Sequence, residues 1–80
     1  MRDIEIRDGS IRLGQLLKLA GLAGSGGEAK ALLAQGAVTV NDEPEERRGR
    51  QLARGDVIRV GDDAVRIATV PGMGYSVPVD

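Results

Sequence analysis

An α+β domain is predicted, with two packed N-terminal helices followed by a small antiparallel sheet. Three observations lead to it. Leucine and alanine recur at helical spacing through residues 13–20 and again through 29–33, and from Ala37 the apolar period shortens from about 3.6 residues to 2. Only Leu22, Ala23 and Gly24 connect the two helical stretches, so the helices must pack as a hairpin or corner. At 80 residues the chain supports one domain, placed at 1–70, and leaves 71–80 as a tail with two Gly, two Pro and no helical period.

In chain order, Ile4 and Ile6 alternate with Glu5 and Arg7, the pattern of a short strand with one buried face. Asp8, Gly9 and Ser10 break it. Ser10 is then expected as N-cap of a helix that carries Leu13, Leu16, Leu17 and Ala20 on one face and ends at Gly21. Ser25 and Glu28 have the spacing at which each side chain satisfies an otherwise unpaired backbone N–H, which opens the second helix. Ala29, Leu32 and Leu33 form its apolar face, and Gly36 closes it in the left-handed conformation. Val38 and Val40 form a strand reversed by Asn41-Asp42-Glu43-Pro44. Val57, Ile58 and Val60 form another, entered through Arg54-Gly55-Asp56, and Gly61-Asp62-Asp63 turns it into a partner over 64–70.

Composition narrows the function. The chain is 41% apolar and 29% charged, which is globular rather than disordered, and since Tyr75 is its one aromatic the core must be Leu, Ile, Val and Ala. Without Cys or His there are no disulfides, thiolate nucleophiles, imidazole bases or usual zinc sites, so neither catalysis nor a metal or cofactor is expected. No stretch approaches ~20 apolar residues and the first ten carry both charge signs, so a cytoplasmic protein without membrane contact is expected. A monomer is expected as well. The formal net charge of −1 weighs against nucleic-acid binding. The charges are segregated, however: Asp42, Glu43, Glu45 and Glu46 directly precede Arg47, Arg48, Arg50 and Arg54. A local positive field survives on such a chain because screening acts over about 8 Å at physiological salt.

Two segments could use that field. Gly26 and Gly27 fall in a first helical turn, where each costs roughly 1 kcal/mol relative to Ala. Bare backbone there would let a phosphate approach free N–H groups and the helix dipole, with Lys30 one turn on; the plain alternative is a flexible linker followed by a solvated lysine. The second segment, 46–54, places four arginines in eight positions, with Gly49 free to turn and Gln51 among them. Their planar forks suit phosphates and base edges. The alternative is exposed ion pairing with the preceding acids, worth only ~0 to 1 kcal/mol each.

These features stand in a familiar order. Ile11-Arg12-Leu13 opening a leucine-rich helix, Gly-Leu-Ala at 21–23, Gly27-x-Ala29-Lys30, Gly36-x-Val38-x-Val40-Asn41, a basic run and Gly55-Asp56-Val57-Ile58 together resemble the S-four RNA-binding domain over about 11–60, most closely its small stand-alone bacterial version. The resemblance implies a fold of two helices leading into a small sheet. It also implies non-catalytic binding of structured RNA, ribosomal or transfer, through shape and backbone, with ribosomal proteins as further partners. Its RNA-facing positions fall on Arg12, Lys30, Arg47, Arg48 and Arg50, and Gly26, Gly27, Gln51 and Arg54 complete the expected surface. Three positions depart from the pattern: Gly14 where many members have Asp, Gln51 where Lys is expected, and Asn41 followed by Asp42-Glu43 rather than Gly. The competing expectation is a protein-interaction module that docks through the acidic turn at 42–46.

Overall fold

The computed structural model describes residues 1–6 and 9–69. The expected tail at 71–80, the last residue of the strand expected over 64–70, and Arg7 and Asp8 of the first strand and turn lie outside the described residues. The chain runs β1 (Arg2–Ile6), β2 (Ile11–Arg12), α1 (Leu13–Leu19), α2 (Gly26–Ala34), β3 (Val38–Val40), β4 (Glu43–Pro44), β5 (Gln51–Leu52), β6 (Val57–Val60) and β7 (Asp63–Thr69).

The two helices pack on each other as expected, and the architecture is α+β. Two parts of the expectation need correction. The sheet is mixed: its order is β1-β7-β6-β3-β4, and β1 lies parallel to β7 while the other neighbours are antiparallel. Two strands also precede the helices, and the second of them, β2, pairs with β5 in a separate two-stranded ladder. The physical reason for the first is coverage. The register sets Ile4 beside the buried Ile67, so the apolar side of β1 joins the core, and sets Asp3 beside Arg66 on the exposed side. There Arg66 Nε and Nη2 donate to the two Asp3 carboxylate oxygens at 3.1 and 3.3 Å. Such an exposed cross-strand pair contributes only ~0.2–1 kcal/mol, so burial of Ile4 and Ile6 fixes the register and the ion pair follows it.

The core is aliphatic, as the composition required. Leu13, Leu16 and Leu17 of α1, Ala29 and Leu33 of α2, and Val38, Val40, Leu52, Ile58, Val65 and Ile67 from the strands are all buried. Both helices end in one way. In α1 the N–H of Leu22 donates to Leu17 and that of Gly21 to Lys18; in α2 the N–H of Ala37 donates to Leu32 and that of Gly36 to Leu33. This double closure needs a left-handed residue, and Gly21 (φ 75°) and Gly36 (φ 72°) supply it.

The β3–β4 hairpin is tight: Val40 pairs with Glu43, and the two residues between them, Asn41 (φ 54°) and Asp42 (φ 71°), are both left-handed. Asn and Asp tolerate this better than other residues with side chains. The departure from Gly therefore still makes a regular two-residue turn. Asn41 adds a clasp, because its Oδ1 accepts from Val57 N–H at 2.9 Å and its Nδ2 donates to Asp56 Oδ1 at 3.1 Å. Asp56 Oδ2 in turn accepts from Ala53 N–H, so the Gly-Asp pair at 55–56 is structural.

Asn41→Gly keeps the backbone conformation and loses only the clasp, whereas Asn41→Ala loses the clasp and adds left-handed strain of about 1 kcal/mol. Urea denaturation should rank stability native, then Asn41→Gly, then Asn41→Ala.

Candidate nucleic-acid interface

The arginine segment is shaped by an acid. Glu45 follows β4, its N–H donates to Val38 of β3, and its side chain is only 9% exposed. Its Oε2 accepts the backbone N–H groups of Glu46 (3.0 Å) and Arg47 (3.1 Å) and the Nε of Arg47 (3.2 Å). Its Oε1 accepts Arg47 Nη2 at 3.2 Å and Arg50 Nη1 at 3.0 Å. Charge-assisted bonds of this kind favour the ionised acid. The Arg47 side chain and backbone N–H, then the Arg50 side chain, hold the Glu45 carboxyl down at about 2, although its burial acts in the other direction. Arg47 is correspondingly raised above its ordinary value, chiefly by its bonds to Glu45.

The loop so folded reaches the first helix through its backbone. Arg50 C=O accepts from Leu13 N–H at 2.8 Å and Arg48 C=O from Gly14 N–H at 3.0 Å. These are free first-turn donors of α1, the ones a Ser side chain would otherwise satisfy. Ser10 is therefore not the N-cap. The helix starts two residues later with Arg12 at that position, Arg12 N–H donates to Gln15 Oε1 at 3.3 Å, and carbonyls from a distant loop replace the expected hydroxyl.

Arg48 lies across the surface between the helices. A methyl group at Gly14 would overlap its Cγ and lie 3.1 Å from its Cδ, so the missing side chain at 14 is the seat of the Arg48 stem. Arg48 lines an open concavity with Arg12 at the helix N-cap, Gln15 and Lys18 of α1, Gly26 and Ala29 of α2, and Gly49. It also lines a second concavity, with Lys30, Leu33 and Ala34 of α2 and Glu46. None of Arg12, Lys18, Lys30 and Arg48 joins an ion pair with an acid among the described residues.

The opening of α2 faces the first concavity. Ser25 is its N-cap, its Oγ accepting Glu28 N–H at 3.1 Å, and the Glu28 carboxylate accepts the N–H of Gly24. Gly26 and Gly27 are the first two helical residues rather than a linker, and neither has a positive φ. A Cβ at Gly26 would meet nothing within 4 Å, and one at Gly27 only Ser25 Oγ at 3.9 Å. Packing within the chain thus gives no reason for two glycines there.

The expected surface is accordingly divided. Arg12, Gly26, Lys30 and Arg48 are brought together around the helix pair, and Gly27 is exposed beside them. Arg47 and Arg50 are tied to Glu45, so these two do pair with a preceding acid, but with a buried one rather than in the exposed pairs of the alternative; Arg47 remains 77% exposed, Arg50 only 30%. Gln51 is exposed and paired with Arg12 in the β2–β5 ladder. Arg54 sits in the turn before β6, where Gly55 N–H donates to Ile67, and lines neither concavity. Lys18 was not among the expected residues. Its signal is its spacing, one turn after Gly14 and three residues after Gln15 on the side of α1 free of leucine.

A two-helix α+β domain with a cationic loop folded onto its helix pair is the class these features define, and the chain belongs to the S4 domain family, whose sequence model matches residues 4–68. That span takes in Ile4–Ile6 of β1 and most of β7, beyond the 11–60 covered by the resemblance. The chain is also 53% identical over 57 residues to a protein of Bacillus subtilis (strain 168) described as a probable ribosome maturation protein RlbA, an alignment covering 71% of this chain and 80% of that protein.

Because the Glu45 carboxyl stands at about 2 in the fold against an ordinary 4.5, its ionised form favours the folded state. That contribution is complete above the ordinary value and is lost as pH falls through the window between the two. The melting temperature of Glu45→Gln, followed by circular dichroism, should fall less steeply than that of the native protein over this window.

Proposed function

We propose that this protein is a non-catalytic binder of structured RNA, ribosomal or transfer, acting in the cytoplasm in the maturation of the ribosome. Membership of the S4 domain family and the likeness to a protein described as a probable ribosome maturation protein support the class of target. The observation that carries the reading is the seat of Arg48: its stem lies over Gly14 of α1, and the residue lines one concavity with Arg12 and Lys18 and another with Lys30, with no acid paired to it among the described residues.

Three or four cations around a glycine-opened helix suit phosphate oxygens, which any structured RNA presents, and the described residues offer no aromatic face for stacking single-stranded bases. Gly26 and Gly27 fit the same use, since bare backbone lets a phosphate approach the first N–H groups of α2 and the positive end of its dipole. The acidic turn offers a protein partner less than its composition implies, because Glu45 is turned inward and spent on Arg47 and Arg50.

Binding to protein-free ribosomal RNA, measured by filter retention over a potassium chloride series, should show log K falling with log salt at a slope of roughly −2 to −4. Arg48→Ala and Lys30→Ala should each weaken binding and shallow that slope by about 1, while Arg54→Ala changes neither. Retention unaffected by Arg48→Ala and Lys30→Ala together would overturn the site, and a ribosomal pull-down that survives ribonuclease would favour a protein partner.

A further inference from the structure

Glu45 is the only buried charged residue among those described, and it lies inside the segment proposed to hold RNA. On charge alone it is misplaced, since a carboxylate close to a phosphate site lowers the local positive potential. Its bonding gives it a different task. The carboxylate takes the first two N–H groups of the loop and two of its three arginines, which sets the path of the chain from Glu46 to Arg50. That path delivers the carbonyls of Arg48 and Arg50 to α1, and with them the start of the Arg48 side chain over Gly14. The loop is then held at β3 by Glu45 N–H, at α1 by two carbonyls and at β2 by the β5 pairing, and Arg48 is the arginine of 47–50 whose side chain is left out of the carboxylate network.

We propose that Glu45 is a positioning residue for RNA: it withdraws Arg47 and Arg50 into the loop framework so that Arg48, seated in the gap at Gly14, is presented to phosphate in a fixed geometry. The inference rests on the RNA-binding reading and deepens it. Arg47 and Arg50 become framework residues, with the partly exposed Arg47 at most a secondary contact, and Gly14 becomes part of the binding geometry. Presenting a side chain already in place spares the rotamer freedom that a long arginine otherwise gives up on binding, so the acid's ordering of the loop outweighs its own repulsion of phosphate.

The decisive variant is Glu45→Gln, which keeps shape and removes charge. If the acid mattered only through its charge, the variant would bind RNA more tightly than the native protein. Positioning requires the opposite: protein-free ribosomal RNA is bound roughly three- to tenfold more weakly, and the salt slope is shallower by about 1, as expected when one phosphate contact is lost. Gly14→Ala, which leaves Glu45 untouched and unseats Arg48, should produce the same pair of changes. In a double-mutant cycle, Glu45→Gln should add no further loss to Arg48→Ala. Equal or tighter binding by Glu45→Gln, or full additivity with Arg48→Ala, would overturn the proposal.

Backbone amide order parameters for residues 46–50, measured by NMR without RNA, supply the second arm. They should fall from about 0.85 in the native protein to below about 0.6 in Glu45→Gln, while those of α1 beyond its first turn and of β6 do not move. A loop that stays rigid in the variant overturns the proposal whatever the RNA does. If the native protein retains no ribosomal RNA, the functional reading fails, and the order parameters still decide whether Glu45 sets the loop.

Discussion

A buried carboxylate accepting five hydrogen bonds from its own loop is the interaction on which the rest of this structure leans. An isolated acid in the position of Glu45 would be driven toward its neutral form by burial. Two guanidinium groups and two backbone N–H groups reverse that preference, and the loop is bent around the charge as a result. From this follow the capping of α1 by loop carbonyls, the short β2–β5 ladder and the placing of Arg48 against Gly14. Helix pair and arginine loop are thereby one unit, and the helices meet the sheet through the shared aliphatic core.

The same interaction bears on where the charges of a chain of net charge −1 lie. Some acids and bases are paired by the fold: Asp3 with Arg66 on the solvent side of the sheet, Asp63 with Arg2, and Glu45 with Arg47 and Arg50 in the loop. Arg12, Lys18, Lys30 and Arg48 are outside those pairs. Counting charges along the chain mixes the two groups, and only their partners separate them. Screening over about 8 Å makes the local set, rather than the total, the one that a nearby group meets.

Much of the fold was legible because its determinants are local. The helical period, the Ser25 cap, the glycines that end both helices and the hairpin turns at 41–42 and 61–62 are each set by residues a few positions apart, and the structure keeps them. The failures share a different cause. Ser10 was a sound local choice for an N-cap, but carbonyls contributed by Arg48 and Arg50 took the donors it would have served. The alternation at Ile4 and Ile6 announced a strand without saying what it pairs with, since its partner β7 lies at the far end of the described chain. The candidate site divided in the same way: residue type and order singled out Arg47, Arg48 and Arg50 alike, while the tie of Arg47 and Arg50 to Glu45 depends on one side chain's burial.

By itself, then, the sequence determined an aliphatic two-helix α+β domain without Cys or His, its helix ends, its turns and the two segments that could meet a phosphate, because period, capping and composition act over a few residues. Tertiary structure alone decided the parallel pairing of β1 with β7, which cation is seated between the helices and which arginines are tied down, and that an absent side chain at position 14 makes room for Arg48. Those outcomes depend on groups far apart in the chain meeting at hydrogen-bonding or van der Waals distance, and such meetings leave no periodic trace in the order of the residues.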